Sequence, residues 1–254
     1  MKLSNLAWAM MVSAVAVVPA AAQDNQSVNV VLTEVLDVIE PCMAARSDVG
    51  RVILQNINET LTEFSPSEAA LKPRLATEWT QIDEDTWQFK LREGVKFHDG
   101  SALDPADITF SLNRNKNAAL GCETGGKYFG GMEFTTEAID DTTIQITSDP
   151  ASPILPLLLS VMPIQPESDP ADTFTTTPIG TGPYSLVSWD VGQSLVVERN
   201  PDYWGEQPIV SGATYVFRTD AAVAAAMVQA GEADIAPNIA VQDATNPDTD
   251  FSYP

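Results

Sequence analysis

Between residues 75 and 114 the hydrophobic and polar positions change rhythm twice, and each change predicts an element. From residue 86 to 92, Trp87, Phe89 and Leu91 alternate with Gln88, Lys90 and Arg92, the two-residue period of a strand with one buried and one wet face. Gly94 interrupts the strand, Val95, Lys96 and Phe97 resume it, and Asp99-Gly100 supplies a tight turn. Asp104, Pro105 and Asp107 then fall at the N-cap, first and third positions of a helix, with both carboxylates over the positive end of its dipole. Ile108 and Leu112, four apart, form its buried stripe.

The rest of the chain reads as follows. Val28, Val30 and Leu32 alternate in a first strand, and residues 34–41 connect it to a helix capped by Ser47, with Val49, Ile53, Ile57 and Leu61 at spacing four. Five glycines between 121 and 131 predict a mobile surface loop; Lys127 there lacks the preceding strand and following helix that a phosphate cradle requires. Residues 134–139 and 143–147 predict a hairpin with Ile144 and Ile146 inward, and residues 151–166 a short apolar helix closed by Pro163 and Pro166. Residues 167–178 carry almost no apolar content and predict a crossing between subdomains. Strands follow at 184–189, 195–199 and 214–218, the first two around a turn at 190–193. Tyr203 and Trp204, beside a turn, are expected to pack on the hairpin. Asp220 caps a helix over 221–230, with Val223 and Met227 on its packing face and Gly231 as its stop. Helices and strands mix without strict alternation, so the class is mixed α/β.

Composition adds a compartment. Residues 1–22 have the single charge Lys2, an apolar run and Ala20-Ala21-Ala22 before Gln23, the pattern of a secretory signal peptide, with no cysteine at the cleavage point to carry a lipid anchor. With 13 basic and 35 acidic residues the net charge is -22, which repels nucleic acid and anionic lipid. That field either attracts cationic ligands or only keeps the surface soluble. Cys42 and Cys122 in an exported chain are expected to form a disulfide, with two buried thiols as the alternative. Two cysteines and the one histidine, His98, are too few to close a zinc site, so no metal and no cofactor is expected. A lone histidine in a turn also argues against Ser-His or Cys-His catalysis, leaving paired carboxylates as the one enzymatic reading the residues keep open.

Two blocks resemble one family. Leu91-Arg92-x-Gly94-Val95-Lys96-Phe97-His98-Asp99-Gly100, followed by Ala106-Asp107-Ile108-x-Phe110-Ser111, is similar to the family 5 solute-binding proteins of bacterial ABC importers, the dipeptide, oligopeptide and nickel binders. The second block, residues 179–205 with Gly180, Gly182, Pro183 and Tyr184, resembles the same family in the same order. The resemblance implies a two-lobe periplasmic-binding-protein-like (type II) fold of which mainly the first lobe is present, the second being expected in sequence beyond this chain. It implies a cleft-flanking subdomain from residues 23–45 and 166–254 and an inserted subdomain from 46–165. It also implies a periplasmic, monomeric, non-enzymatic receptor that hands a small solute, above all short peptides, to ABC permease subunits. Chemoreceptor-coupled binding of opines, oligosaccharides or nickel complexes, and a secreted carboxylate-dependent hydrolase, are the alternatives. The motif residues are expected to be structural. The backbone of Glu34, Val35, Leu36 and Asp37, leaving the first strand, is expected to contact ligand, because strand ends at a cleft offer free N–H and C=O groups.

Overall fold

Phe89 and Leu91 are almost wholly buried and Trp87 half-buried, so the alternation read in the sequence does set one face of a strand. The computed structural model describes residues 26–46, 50–237 and 239–240; the signal-peptide reading at 1–22, the Ser47 cap and Val49 lie outside them. In chain order the strands and α-helices are β1 (Ser27–Leu32), β2 (Thr62–Ser65), β3 (Ala70–Pro73), β4 (Ala76–Gln81), β5 (Thr86–Leu91), α1 (Pro105–Lys116), α2 (Glu123–Tyr128), β6 (Glu133–Asp140), β7 (Thr143–Asp149), α3 (Leu155–Leu158), β8 (Tyr184–Asp190), β9 (Ser194–Arg199), β10 (Gly212–Phe217) and α4 (Ala221–Gln229).

An antiparallel sheet in the order β4-β5-β7-β6 carries one core, in which Phe89, Ile144 and Ile146 meet Ile108 and Leu112 of α1. α1 begins as expected: the Asp104 carboxylate accepts from the backbone of Ala106 and Asp107, and the Asp107 carboxylate accepts from the Asp104 N–H in return. A second sheet, β1-β10-β9-β8, has β1 parallel to β10 and its other pairs antiparallel. One face of it packs on Leu36, Ile39, Ile53 and Ile57; the other packs Val31 on Ala224 and Ala233.

Three expectations are corrected. The helix over 47–61 is, among the described residues, confined to 51–57, with a π-helical turn at Ile53–Ile57. It stops because Asn58 is drawn inward to donate from Nδ2 to the carbonyls of Ile164 (3.2 Å) and Ile179 (3.1 Å), so Leu61 joins the other core. The glycine stretch is not a loose loop but contains α2. Cys122 is disulfide-bonded to Cys42, Thr124 Oγ1 donates to the Cys42 carbonyl at 3.0 Å, and Phe129 is buried, so packing overrides the low helix propensity of glycine. A Cβ on Gly125 would sit 1.7 Å from the Asn115 carbonyl oxygen, so glycine is what lets α2 lie against the end of α1. Finally, α4 buries Ala224 and Ala225 with Met227 alongside, while Val223 faces solvent, because small side chains permit the close approach to β1.

Candidate functional site

The two connections that leave the C-terminal ends of the parallel neighbours β1 and β10 go to opposite faces of their sheet. From β1 the chain passes to the face built by Leu36 and Ile39; from β10 it enters α4, crosses the face of Val31 and returns at Ile235, which pairs in parallel with Val30. Diverging connections at neighbouring parallel strand ends make a topological switch point, the opening at which open α/β sheets bind ligands.

The expected ligand segment lies at that opening. β1 and β10 are held together to their tips, the Arg218 N–H donating to the Leu32 carbonyl at 2.8 Å, and the tip of β10 is held to the β8–β9 turn by Phe217 N–H to Gln193 carbonyl at 3.0 Å. Glu34 and Asp37 are exposed, Val35 is 39% exposed beside Gly192, and Leu36 is buried in the core at 3%, so its backbone alone is available to a ligand. The far end of this connection is fixed by a buried ion pair that the sequence reading passed over. Glu40 Oε2 meets Arg114 Nη2 at 2.6 Å, both side chains fully buried, and also accepts from the Thr175 N–H at 2.9 Å. Arg114 donates further to the carbonyls of Pro170, Ala171 and Thr173, which pins the polar crossing segment onto α1. Two residues on, the Cys42–Cys122 disulfide forms as expected. Residues 33–39 are thus strung between a sheet and a rigid anchor, which lowers the ordering cost of binding.

The motif residues serve the scaffold. Leu91, Val95 and Phe97 are core; Gly94 and Gly100 turn at φ +76° and +88°; Asp99 accepts from Ser101 and Ser168. Arg92 donates to the Arg74 carbonyl and stacks 4.2 Å over Trp204. The Gly182 carbonyl accepts from Asn200 Nδ2, the Pro183 carbonyl from the Asn200 N–H, and Tyr184 Oη donates to the Val210 carbonyl. At Gly180 a Cβ would lie 1.9 Å from the Ile57 carbonyl oxygen, so only glycine fits where the second block packs on the Ile53–Ile57 turn. His98 spans the same junction: its Nδ1 accepts from the Gly180 N–H and its Nε2 meets the Gly182 carbonyl at 3.0 Å, while burial lowers its pKa below the ordinary imidazole value.

Beneath this junction sits Glu59, 1% exposed. Its two oxygens accept from Arg74 Nε (3.1 Å), Tyr203 Oη (3.3 Å), Thr181 Oγ1 (2.8 Å) and Trp204 Nε1 (2.7 Å). Tyr203 and Trp204 are therefore structural, as expected, and burial followed by the Glu59 charge pushes the Tyr203 hydroxyl up to about 12. Nothing in the periodicity marks Glu59 as a hub; its signals are the resemblance of Asn56 and Glu59 to the family's pattern and an acid set among buried positions. Among the described residues, no cluster of three His, Cys, Asp or Glu is placed to hold a metal, and no helix is long and apolar enough to cross a membrane.

Comparison with known proteins agrees with this architecture. Residues 70–253 match the family model for bacterial extracellular solute-binding proteins, family 5 Middle. The chain is 30% identical over 217 residues to the dipeptide-binding protein of Escherichia coli K12, covering 75% of this chain and 40% of that one. It is 33% identical over 187 residues to the glutathione-binding protein GsiB of the same organism, covering 70% and 36%. The crystal structure of a nickel ABC transporter protein from Bacillus halodurans superposes with a TM-score of 0.74 at 25% identity, covering 87% of this chain and 46% of that one. The chain thus spans less than half the length of each of these three proteins.

Proposed function

This chain belongs to the family 5 bacterial extracellular solute-binding proteins, and from that membership we propose that it is the cleft-forming first lobe of a receptor capturing short peptides for an ABC importer. Its architecture is one lobe of the type II periplasmic-binding-protein fold. The observation that carries the peptide reading is the switch point at the ends of β1 and β10. Its wall is strand-end backbone, residues 33–37, tethered at both ends, with the half-exposed Val35 as an apolar contact. Extended peptides are bound through this kind of backbone, main-chain hydrogen bonds giving affinity and side-chain contacts selectivity. Relatives named for dipeptide and glutathione binding support the same class of solute.

In this reading residues 23–45 and 166–254 flank the cleft and 46–165 form the insertion, although Ile53 and Ile57 pack with the cleft-flanking sheet and move the packing boundary to about residue 58. The protein is exported, works as a monomer and performs no covalent chemistry. A solute touching both lobes stabilises their closure by its differential contacts, and the permease reads the closed form. Calorimetry against di- and tripeptides, with chromatography of the same mixtures, tests this. Saturable binding without cleavage is expected. Cleavage would replace the reading with a hydrolase, and binding of opines or nickel-histidine complexes in place of peptides would redirect it to those solutes.

A further inference from the structure

The one histidine of the chain is held in a way that only its uncharged ring satisfies. His98 lies in the 97–101 turn, next to Phe97, which belongs to the core of the β4-β5-β7-β6 sheet. Its partners stand at the entry of β8, in the other sheet. The His98 N–H donates to the Gly180 carbonyl at 2.9 Å, Nδ1 faces the Gly180 N–H at 3.3 Å and Nε2 faces the Gly182 carbonyl at 3.0 Å. Both ring partners are main-chain groups with fixed roles. An N–H only donates and a carbonyl only accepts, so Nδ1 has to be the bare nitrogen and Nε2 the protonated one. A proton added to Nδ1 sets two donors against each other, and the Gly180 N–H loses its acceptor.

The 180–182 turn has no freedom to adapt to a charged ring. The Gly182 N–H donates to the Ile57 carbonyl at 2.9 Å, the Gly182 carbonyl also accepts from Asn200 Nδ2 at 3.1 Å, and Thr181 Oγ1 donates to Glu59 at 2.8 Å. The ring itself is half-buried, so it has solvent to move into. Two charges act on it, Glu59 from the segment after the Ile53–Ile57 turn and Asp99 beside it. Both favour the cation, and burial outweighs them. Residues 179–183, which carry the ring's partners, have no ionisable side chain, and Arg74 and Tyr203 are held on Glu59.

We propose that His98 is an acid-sensitive latch between the two sheets: the neutral ring ties the 97–101 turn to the entry of β8, and protonation undoes that tie while each sheet stays folded. A base kept neutral by the fold contributes stability that is fully present above its unfolded pKa, near 6.5, and is lost as pH falls below that value. The latch is independent of which solute the receptor takes.

The test follows the ring nitrogens and the Gly180 amide of the full chain by 15N NMR from about pH 8 to about pH 4, the range that brackets imidazole titration. A single histidine gives a single set of ring signals. At neutral pH the Nε2–H tautomer alone is expected, with a titration midpoint below the ordinary imidazole value. Protection of the Gly180 amide, relative to its intrinsic exchange rate, is expected to fall roughly 5- to 10-fold with the same midpoint while the spectrum keeps its dispersion. Asp107 and Asp169, each raised by burial to about 6, titrate in a neighbouring range, and Asp107 accepts from the Glu167 N–H on the segment that leads to residue 180. His98→Asn separates their effect, because its Oδ1 offers an acceptor in place of Nδ1 and does not titrate; Gly180 protection is expected to become independent of pH in this variant. An Nδ1–H tautomer, a midpoint at or above the ordinary value, a Gly180 amide that does not follow the ring, or collapse of the whole spectrum at the midpoint overturns the latch. A pH dependence that survives His98→Asn assigns it to the two acids and overturns the latch as well. Should His98→Asn not fold, the ring and Gly180 titrations of the unaltered protein still decide. Every one of these outcomes leaves the solute-receptor reading to its own test by calorimetry.

Discussion

Glu59 and Asp169 show how differently two buried acids act in one lobe. Glu59 is matched on every side by donors, so removing it leaves Arg74, Thr181, Tyr203 and Trp204 without their acceptor at once. Glu59→Ala is expected to cost about 3–5 kcal/mol in urea unfolding, as for other broken buried pairs, and Glu59→Gln less. A loss below about 1 kcal/mol for the alanine variant would mean the four donors find other partners. Asp169 is poorly compensated. Burial raises its pKa to about 6; Gln165 and the Arg114 charge lower it, and the Glu40 and Asp99 charges raise it. A carboxyl whose folded pKa exceeds its unfolded one contributes stability fully below the unfolded value, near 3.8, and loses it as pH rises to about 6. Asp169→Asn should therefore gain on the unaltered protein between pH 4 and 7 by an amount on the order of 2 kcal/mol. A difference that stays constant over that range would show that Asp169 is not protonated in the fold.

At the scale of elements, two devices hold distant segments together, and each can be removed singly. The packing of the second family block on the Ile53–Ile57 turn requires a missing Cβ at Gly180, against the Ile57 carbonyl oxygen, which belongs to backbone and has little room to move. Gly180→Ala is expected to destabilise by about 1–3 kcal/mol, measured as a shift in the denaturant midpoint. A neutral effect would show that the junction slides. The disulfide closes a loop across a sequence separation of 80, and replacing both cysteines by serine is expected to cost up to roughly 4–5 kcal/mol by loop-closure entropy. Because Cys42 lies just beyond the tethered 33–39 connection, the same variant should also speed amide exchange there. An unchanged exchange rate would assign the anchoring to the Glu40–Arg114 pair alone.

At the largest scale, the lobe described presents one wall to a solute. A solute held only by residues 33–37 and the tip of β10 lacks the contacts that lobe closure adds, and each 1.4 kcal/mol lost is roughly tenfold in affinity. Residues 23–254 expressed alone are therefore expected to bind dipeptides no more tightly than about millimolar, read by calorimetry or NMR titration. Micromolar binding would show that this lobe forms a complete site.

What the sequence determined by itself was whatever depends on near neighbours. The β5 alternation, the Asp104–Asp107 capping box, the β6–β7 and β8–β9 hairpins and the Asp220 cap all follow from residues within a few positions of one another, and all are present. Family membership was legible for the same reason, since it rests on two continuous blocks. The helix stop at Asn58, the folding of the glycine stretch into α2 and the Glu59 hub were decided by the tertiary structure. Each is settled by partners far away in the chain, Ile164 and Ile179, Cys42, and Trp204, that no local period encodes. The switch point belongs to this second class as well. It exists because two parallel strands more than 170 residues apart send their connections to opposite faces.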